Sequence, residues 1–398
     1  MVPSAPPRAA HGLRILYVSA SYVPSRRASS MHVMNMCAAL AAHGHDVALI
    51  AKQSREARPR DAAGAALDDH AFYRVPPVFR LDTLARPARR GGGLVYAAAM
   101  ARRLLAARGK VDLVYSRDLG GAALAAALGI PFVFELHYVP PARWHHAVMH
   151  RLGAAWRGVV VISEALRRDL TAAGLVPPGV PIVVAHDACD AAFGRAPRAE
   201  LAAPPRIGYA GNLYRGRGVE LVLDVARRMP ACRFELAGGS EADLARIRGE
   251  GVPDNVVLHG FVPPARLAEI YAGFDVVLLP HPRSGVRGAT GASDISRWTS
   301  PMKMFEYMAS GVPIVASDLP VLGEVLGDGV NALIAPADDA AAWQRAIERL
   351  LGDAALRVRL ATRAQHDLRR HHTWHARAAR ILQGLGLVPA PSAAQAAP

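Results

Sequence analysis

The sequence is poor in lysine, cysteine and aromatic residues, and each shortage narrows what the chain can be. Lysine supplies only three of the 47 basic residues (Lys52, Lys110 and Lys303), and arginine supplies the rest. With so much alanine, glycine and proline, this bias follows base composition. An arginine is therefore a weak marker of function here, and a retained lysine a slightly better one. The three cysteines, Cys37, Cys189 and Cys232, lie far apart. They form no disulfide framework and no CxxC pair, and they fit a reducing cytosol. Aromatics make up 6% of the chain, too few for the stacking platforms of a nucleic-acid binder. No helix-turn-helix, RNA-recognition or zinc signature accompanies the net charge of +14, so nucleic acid is not the expected partner. The longest apolar run, Gly120 to Leu136, is broken by Pro131 and Glu135 and falls short of the roughly 20 residues that cross a bilayer. Residues 1–12 lack the apolar core of a secretory signal and read as a disordered tail. Residues 388–398, rich in alanine and proline, read the same way.

What is present is a chain of 398 residues, 52% apolar and 20% charged, the composition of a packed protein of two domains. Strand and helix patterns alternate along it. Leu13–Val18 reads as a buried strand, Val33, Met36, Cys37 and Leu40 mark one helix face, and Asp46–Ala51 is the next strand. An irregular basic stretch follows. Alternation then resumes through Val111–Ser116, Pro131–Glu135, Val159–Ile162 and a helix capped at Ser163-Glu164. It restarts at Arg206–Ala210 and runs through Val276–Leu279, a helix over Met302–Ala309, Pro313–Ala316 and a helix near Leu322–Leu326. We therefore expect an α/β fold of two doubly wound parallel sheets. Residues 13–193 and 206–370 form the halves, 194–205 a linker, and 371–387 a helix packing back on the first half. Ligands of such sheets sit at the carboxyl ends of the strands, so a cleft between two facing halves is the expected site.

The most informative segment is Ser300-Pro301-Met302-Lys303-Met304-Phe305-Glu306-Tyr307-Met308-Ala309. Ser300 suits an N-cap and Pro301 the first helical position, which leaves helix amides free for a phosphate. Lys303 in the first turn is unfavourable for a helix alone and useful if it neutralises a diphosphate. The carboxylate of Glu306, one turn on, suits the two hydroxyls of a ribose. Read without further context, Lys303 and Glu306 are equally a surface pair worth ~0.3 kcal/mol.

This segment resembles the donor-binding signature of the family-4-type retaining glycosyltransferases of the two-Rossmann GT-B fold, in the subgroup reading Ser-Pro-x-Lys-x-x-Glu-Tyr-Met-Ala. The similarity extends to the glycine turn Gly208–Gly218, to Gly238-Gly239, to His259–Val262, to Asp275–Pro280, to Glu324 with Gly329–Asn331, and to Thr373–Ala378. The resemblance implies an enzyme whose second half binds a nucleoside-diphosphate sugar (a UDP- or GDP-sugar) and whose first half receives the acceptor, a glycan or a lipid-linked molecule. It implies no covalent cofactor. Arg217 and Lys303 would hold the diphosphate, and Glu306 the ribose. Phe261 and Val262 would flank the base, with Phe261 as readily a core aromatic. Gly211, Asn212, Ser300 and Pro301 would complete the donor side. His137 would lie near the anomeric centre. Ser29 and Ser30 would reach the phosphates or the acceptor.

The chain also departs from that pattern. Trp298 stands where many members carry a second glutamate, and Asp294 is the nearest upstream carboxylate. No Asp-x-Asp or His/Cys ligand cluster appears, so a metal-independent mechanism is expected. Arg80, Arg86, Arg89, Arg90, Arg102, Arg103, Arg108 and Lys110 form a basic cluster in the first half. It reads either as a solvated helix face or as a patch that holds the protein on anionic lipid at the inner face of a membrane. The expected function is retaining transfer of a hexose from a nucleotide sugar, in a cytoplasmic setting. The alternatives are a nucleotide-sugar epimerase of the same fold and a non-catalytic nucleotide-sugar or anionic-surface binding protein.

Overall fold

The computed structural model of the chain describes residues 12–56, 58, 66–86, 91–191, 194–286 and 294–387. The expected tails, apart from Gly12, and two members of the basic cluster, Arg89 and Arg90, lie outside these residues.

The chain forms two compact units. The first holds the described residues up to Ile162, then Leu166–Ala185, then those from Trp374 onward. Its strands are β1 (Arg14–Val23), β2 (Asp46–Gln53), β3 (Arg80–Leu84), β4 (Leu113–Ser116), β5 (Phe132–Leu136), β6 (Trp156–Val161) and β7 (Ile182–Val184). They make one sheet in the order β3-β2-β1-β4-β5-β6-β7, every pair parallel. The helices α1 (Ala28–Ala42), α2 (Asp69–Tyr73), α3 (Gly92–Ala107), α4 (Leu119–Ala127), α5 (Arg143–Met149) and α6 (Glu164–Ala172) connect them. Central strands such as Phe132-Val133-Phe134 are buried on both faces and read as continuous apolar runs, as parallel sheets require. The edge strand β3 was not anticipated. It carries Arg80 and Asp82, which pair with Asp46 and Arg103, and such charges protect an open edge.

The second unit comprises Ser163–Ala165 and His186–Thr373. Its strands are β8 (Arg206–Ala210), β9 (Arg233–Ala237), β10 (Val256–Gly260), β11 (Val276–Leu279), β12 (Ile314–Ser317) and β13 (Leu333–Ala335). The order is β10-β9-β8-β11-β12-β13, again all parallel. The helices are α7 (Val219–Arg228), α8 (Glu241–Glu250), α9 (Pro264–Ala272), α10 (Met302–Ser310), α11 (Ala340–Gly352) and α12 (Ala354–His371). Alternate strand residues divide between two cores. Ile207, Val276, Leu278 and Val315 pack with Trp343 of α11, while Val277, Leu279, Ile314 and Ala316 pack with Phe305 of α10. That is the period-two geometry of a sheet covered on both faces.

Two readings differ from this architecture. Residues 194–205 lie within the second unit, where Arg198 pairs with Asp275 at 2.7 Å and Gln365 donates to the carbonyl of Arg195 at 2.6 Å. Leu322–Leu326 is a tight turn and not a helix, closed by bonds from Leu322 and Gly323 to the carbonyl of Leu319. The last helix, α13 (Trp374–Gly384), belongs to the first unit and packs on α1.

Candidate functional site

In both sheets the strand order reverses beside the first strand, between β1 and β4 and between β8 and β11. The carboxyl ends of these strands carry the polar side chains of interest, as a doubly wound sheet predicts.

In the second unit β8 ends at Ala210, and the chain turns through Gly211 with φ +149°. A Cβ at Gly211 would lie 2.3 Å from Lys303 Nζ, so only glycine lets backbone and amine approach this closely. The turn continues through Gly216 and Gly218, both at positive φ, and Gly218 caps α7. A Cβ on Gly218 would meet the carbonyl oxygen of Pro280 at 1.6 Å. Within the turn, Arg217 Nε donates to the Tyr214 hydroxyl at 2.7 Å, and its guanidinium lies 4.8 Å from the centre of that ring.

Helix α10 brings in the lysine. The expected caps do not hold. Pro301, extended at φ −75° and ψ 122°, occupies the cap position. Ser300 Oγ instead accepts from the Asp187 amide at 2.9 Å, because a proline cap has already fixed the helix entry. Lys303 is half-buried, donates to the Tyr209 hydroxyl at 2.9 Å and sits 4.3 Å from the centre of that ring. Burial first, and then the nearby Arg217 charge, push its pKa down to about 7. Glu306 Oε2 accepts from the Tyr271 hydroxyl at 2.7 Å, and Oε1 has no hydrogen bond among the described residues. Burial raises its pKa.

Other predicted residues stand as follows. Phe261 is 48% exposed and is therefore no core aromatic, whereas Val262 packs partly against the core. Asp294 accepts from the amides of Gly285 and Ser296 at 2.8 and 2.9 Å, holding together the two sides of a loop. Asn212 offers its carbonyl to the Tyr209 hydroxyl at 2.8 Å, with its side chain exposed. The Ser163 hydroxyl donates to the carbonyl of Trp298 at 3.2 Å, and the first amides of α6, those of Glu164 and Ala165, bond to Glu324 at 2.7 and 3.0 Å. One residue not singled out beforehand stands close by. His281, just past β11, is fully buried, and neither ring nitrogen has a hydrogen-bond partner among the described residues. Burial, then Lys303, then Arg217 hold it neutral.

In the first unit the polar centre is Glu135 on β5, wholly buried. Its Oε1 accepts from His137 Nε2 at 2.7 Å and from Arg377 Nη2 at 3.1 Å, His32 Nε2 lies 2.9 Å from it, and the Tyr115 hydroxyl donates to Oε2. A carboxylate acceptor places the His137 proton on Nε2, and Arg117 Nη2 lies 3.3 Å from Nδ1. Burial, then Arg117, push the His137 pKa down to about 4. Burial opposes the charged form of Glu135, but Arg377, His32 and His137 outweigh it and hold the carboxyl well below its usual range. The ligating atoms of His32, Glu135 and His137 lie within 4.8 Å of one another. Arg377 and Arg117 already stand at the carboxylate, so a further cation there would meet two fixed positive charges.

At the same sheet end, the carbonyl of Ser29 accepts from Arg117 Nη1 at 3.4 Å. Ser30 is fully buried and donates its hydroxyl to the carbonyl of Tyr22 at 2.7 Å, so it is not open to a ligand. Glu135, His32, Arg117 and Arg377 were missed as a group. Only the strand-end position of Glu135 hinted at a role, since one arginine among so many carries no signal.

Two parallel α/β units, each with polar groups at its switch point, define the GT-B class of glycosyltransferase fold. The solved structure of the Anabaena protein HepE in complex with UDP superposes with a TM-score of 0.69 at 15% identity, covering 94% of this chain and 100% of that one. Residues 29–193 match the family described as Glycosyltransferase Family 4, and residues 204–353 match Glycosyl transferases group 1. Through both halves, the chain is thus similar to the family 4 and group 1 glycosyltransferases. A D-inositol 3-phosphate glycosyltransferase of Xylanimonas cellulosilytica is 30% identical over 54% of this chain and 51% of its own length. A phosphatidyl-myo-inositol mannosyltransferase of Mycobacterium leprae is 26% identical over 60% and 59%. The chain thus spans between half and two thirds of the length of these curated relatives.

Proposed function

We propose that the protein is a retaining, metal-independent glycosyltransferase that moves a hexose from a nucleoside-diphosphate sugar to a hydroxyl of a glycan or lipid-linked acceptor. The observation that carries this is the pairing of Lys303 and Arg217 at a glycine turn that excludes every larger side chain. A lysine whose protonation is depressed by burial and by a neighbouring guanidinium is completed by an anion. A diphosphate supplies that anion, and the related HepE structure holds UDP.

In this reading the diphosphate is the leaving group. Its charge grows as the glycosidic bond breaks, and an ammonium and a guanidinium already in place stabilise it without reorganisation. Glu306, whose Oε2 is held by Tyr271, accepts from the ribose hydroxyls, and Phe261 and Val262 flank the base. The departing diphosphate assists attack by the acceptor hydroxyl on the same face, which retains configuration. His137, held neutral by burial and Arg117 and with its side chain 23% exposed, takes the role near the anomeric centre that the resemblance implies.

A panel of UDP-, GDP- and ADP-sugars with sugar, sugar-phosphate and lipid-linked acceptors tests this. Transfer with retained configuration, unchanged by EDTA, is the expected result. Interconversion of donors without transfer would establish the epimerase alternative, and tight binding with neither transfer nor hydrolysis would leave a binding protein.

A membrane surface is a second partner in this proposal. On α3 the side chains of Leu94, Val95 and Leu105 are 78, 47 and 56% exposed, beside the exposed Arg102. Exposed leucines next to cations suit an anionic lipid surface at the cytoplasmic face. Arg80 and Arg103 already pair with Asp46 and Asp82, which leaves Arg102, Arg108 and Lys110 for that contact. Flotation with phosphatidylglycerol vesicles should carry the protein at low salt, and Leu94→Asp with Leu105→Asp should abolish it. Binding unchanged by these substitutions would sink the idea.

A further inference from the structure

We propose that the C-terminal helix is part of the functional site of the first unit: Arg377 supplies the fixed positive charge that lets Glu135 stay ionised while His137 stays a neutral imidazole. The inference rests on the role of His137 given above, but its test reads ring protonation and not turnover, so either can fail alone.

An imidazole 2.7 Å from a buried carboxylate ordinarily gains a proton, because the ion pair is worth more than the neutral hydrogen bond. Here burial first, and then Arg117, oppose that gain, and the charge of Glu135 is already met by bonds from other groups. Facing it are Tyr17 from β1, His32 from α1, Tyr115 from β4, Arg117 just after β4, and Arg377 from α13. Both tyrosines are held neutral by burial. The fixed cations are therefore the two guanidinium groups. Arg117 stands 3.6 Å from the carboxylate, and its Nη2 lies 3.0 Å from His137 Nε2 and 3.3 Å from Nδ1. Arg377 is closer to the carboxylate at 3.1 Å, is 1% exposed, and is pinned by a second bond to the carbonyl of Ala185 at 3.2 Å. It balances Glu135 without competing for the ring.

With Arg377 present, Glu135 and the two arginines sum to one positive charge, and a proton on His137 adds a second. Without Arg377 the sum is zero, and a proton on His137 then completes an ion pair. The helix that carries Arg377 also sets Trp374 edge-on to His32, with ring centres 5.2 Å apart, and His32 stands edge-on to His137 at 5.1 Å. A residue 242 positions from Glu135 thereby balances the charge that His137 faces.

The experiment is a pH titration of the histidine rings by nitrogen-15 NMR on the full chain, with the His137 signals identified by their loss in His137→Gln. The wild-type ring should stay neutral down to pH 5.5. In Arg377→Met the ring should titrate more than one pH unit higher, and Arg377→Lys should restore the wild-type curve. Glu135→Gln combined with Arg377→Met should return it to low pH, because no charge then remains to attract the proton. An Arg377→Met ring that titrates with the wild type overturns the proposal, as does a double variant that titrates as high as Arg377→Met. If Arg377→Met does not fold, the double variant decides: rescue of folding by Glu135→Gln supports the charge balance, and failure to rescue overturns it.

Discussion

Binding of a nucleotide sugar should take up a proton, and the amount can be worked from Lys303. In the free protein its pKa is pushed down to about 7 by burial and by Arg217. A bound diphosphate places negative charge against both cations and returns the ammonium towards an ordinary lysine value near ~10. The sign follows. Below pH 7 the amine is already protonated and affinity is flat; above it, each bound ligand must recruit a proton, and affinity falls tenfold per unit. Between pH 6 and pH 9 the dissociation constant should rise about 90-fold, with uptake of about 0.9 proton per ligand at pH 8 and about 0.1 at pH 6. Isothermal titration calorimetry with UDP-glucose and GDP-mannose, in pairs of buffers with different ionisation heats, measures both quantities. The diphosphate of these ligands is a diester and does not itself titrate in this range, and the base N–H groups ionise only above pH 9. Lys303→Met should bind weakly at every pH with no slope. A wild-type affinity that is flat from pH 6 to 9, or a slope that survives in Lys303→Met, refutes the reasoning.

Other outcomes follow from the same geometry. Arg217→Ala should weaken nucleotide-sugar binding at pH 6 by roughly tenfold or more, and should shift the onset of the pH dependence upward, because the like charge that depresses Lys303 is gone. Gly211→Ala, whose Cβ would lie 2.3 Å from Lys303 Nζ at φ +149°, should cost about 1–3 kcal/mol of stability by thermal melting and displace the amine, with loss of binding beyond the loss of stability. Acid should destabilise the fold through Glu135 and Glu235, whose carboxyls are held below their usual range by Arg377 and by Arg206 respectively. That stability is present above the unfolded carboxyl value near ~4.3 and lost as pH falls below it, so the urea midpoint should drop between pH 5 and pH 3, less so in Glu135→Gln.

How much of this the sequence disclosed depended on range. Strands such as Val276–Leu279 and Phe132–Leu136 were legible because a parallel strand buried on both faces is one apolar run. Strand β3 was not, because an open edge needs charge, and Arg80 and Asp82 look like loop. Helix α8 was passed over because only Leu244 and Ile247 of its ten residues are buried, too sparse a stripe to show a period. The glycine turn and the Lys303 helix are local features and stood out. That Tyr209 would hold the lysine, or that Pro301 would displace Ser300 from the cap, depended on backbone geometry that no spacing encodes. The network around Glu135 was beyond reach for another reason. Its members come from α1, β4, β5 and α13, and the arginine that completes it is one among dozens of identical residues.

The assignment of α13 to the first unit has a consequence for synthesis. A ribosome makes Ala185 and then the entire second unit before it reaches Trp374. At about 5–20 residues per second the first sheet waits about 10–40 s for its last helix. During that interval Glu135 is without Arg377, and the α1 surface that receives α13 is bare. The second unit, begun later, has all of its residues earlier. The order of completion is the reverse of the order of initiation, and the half of the protein that emerges first is the half that most needs a chaperone.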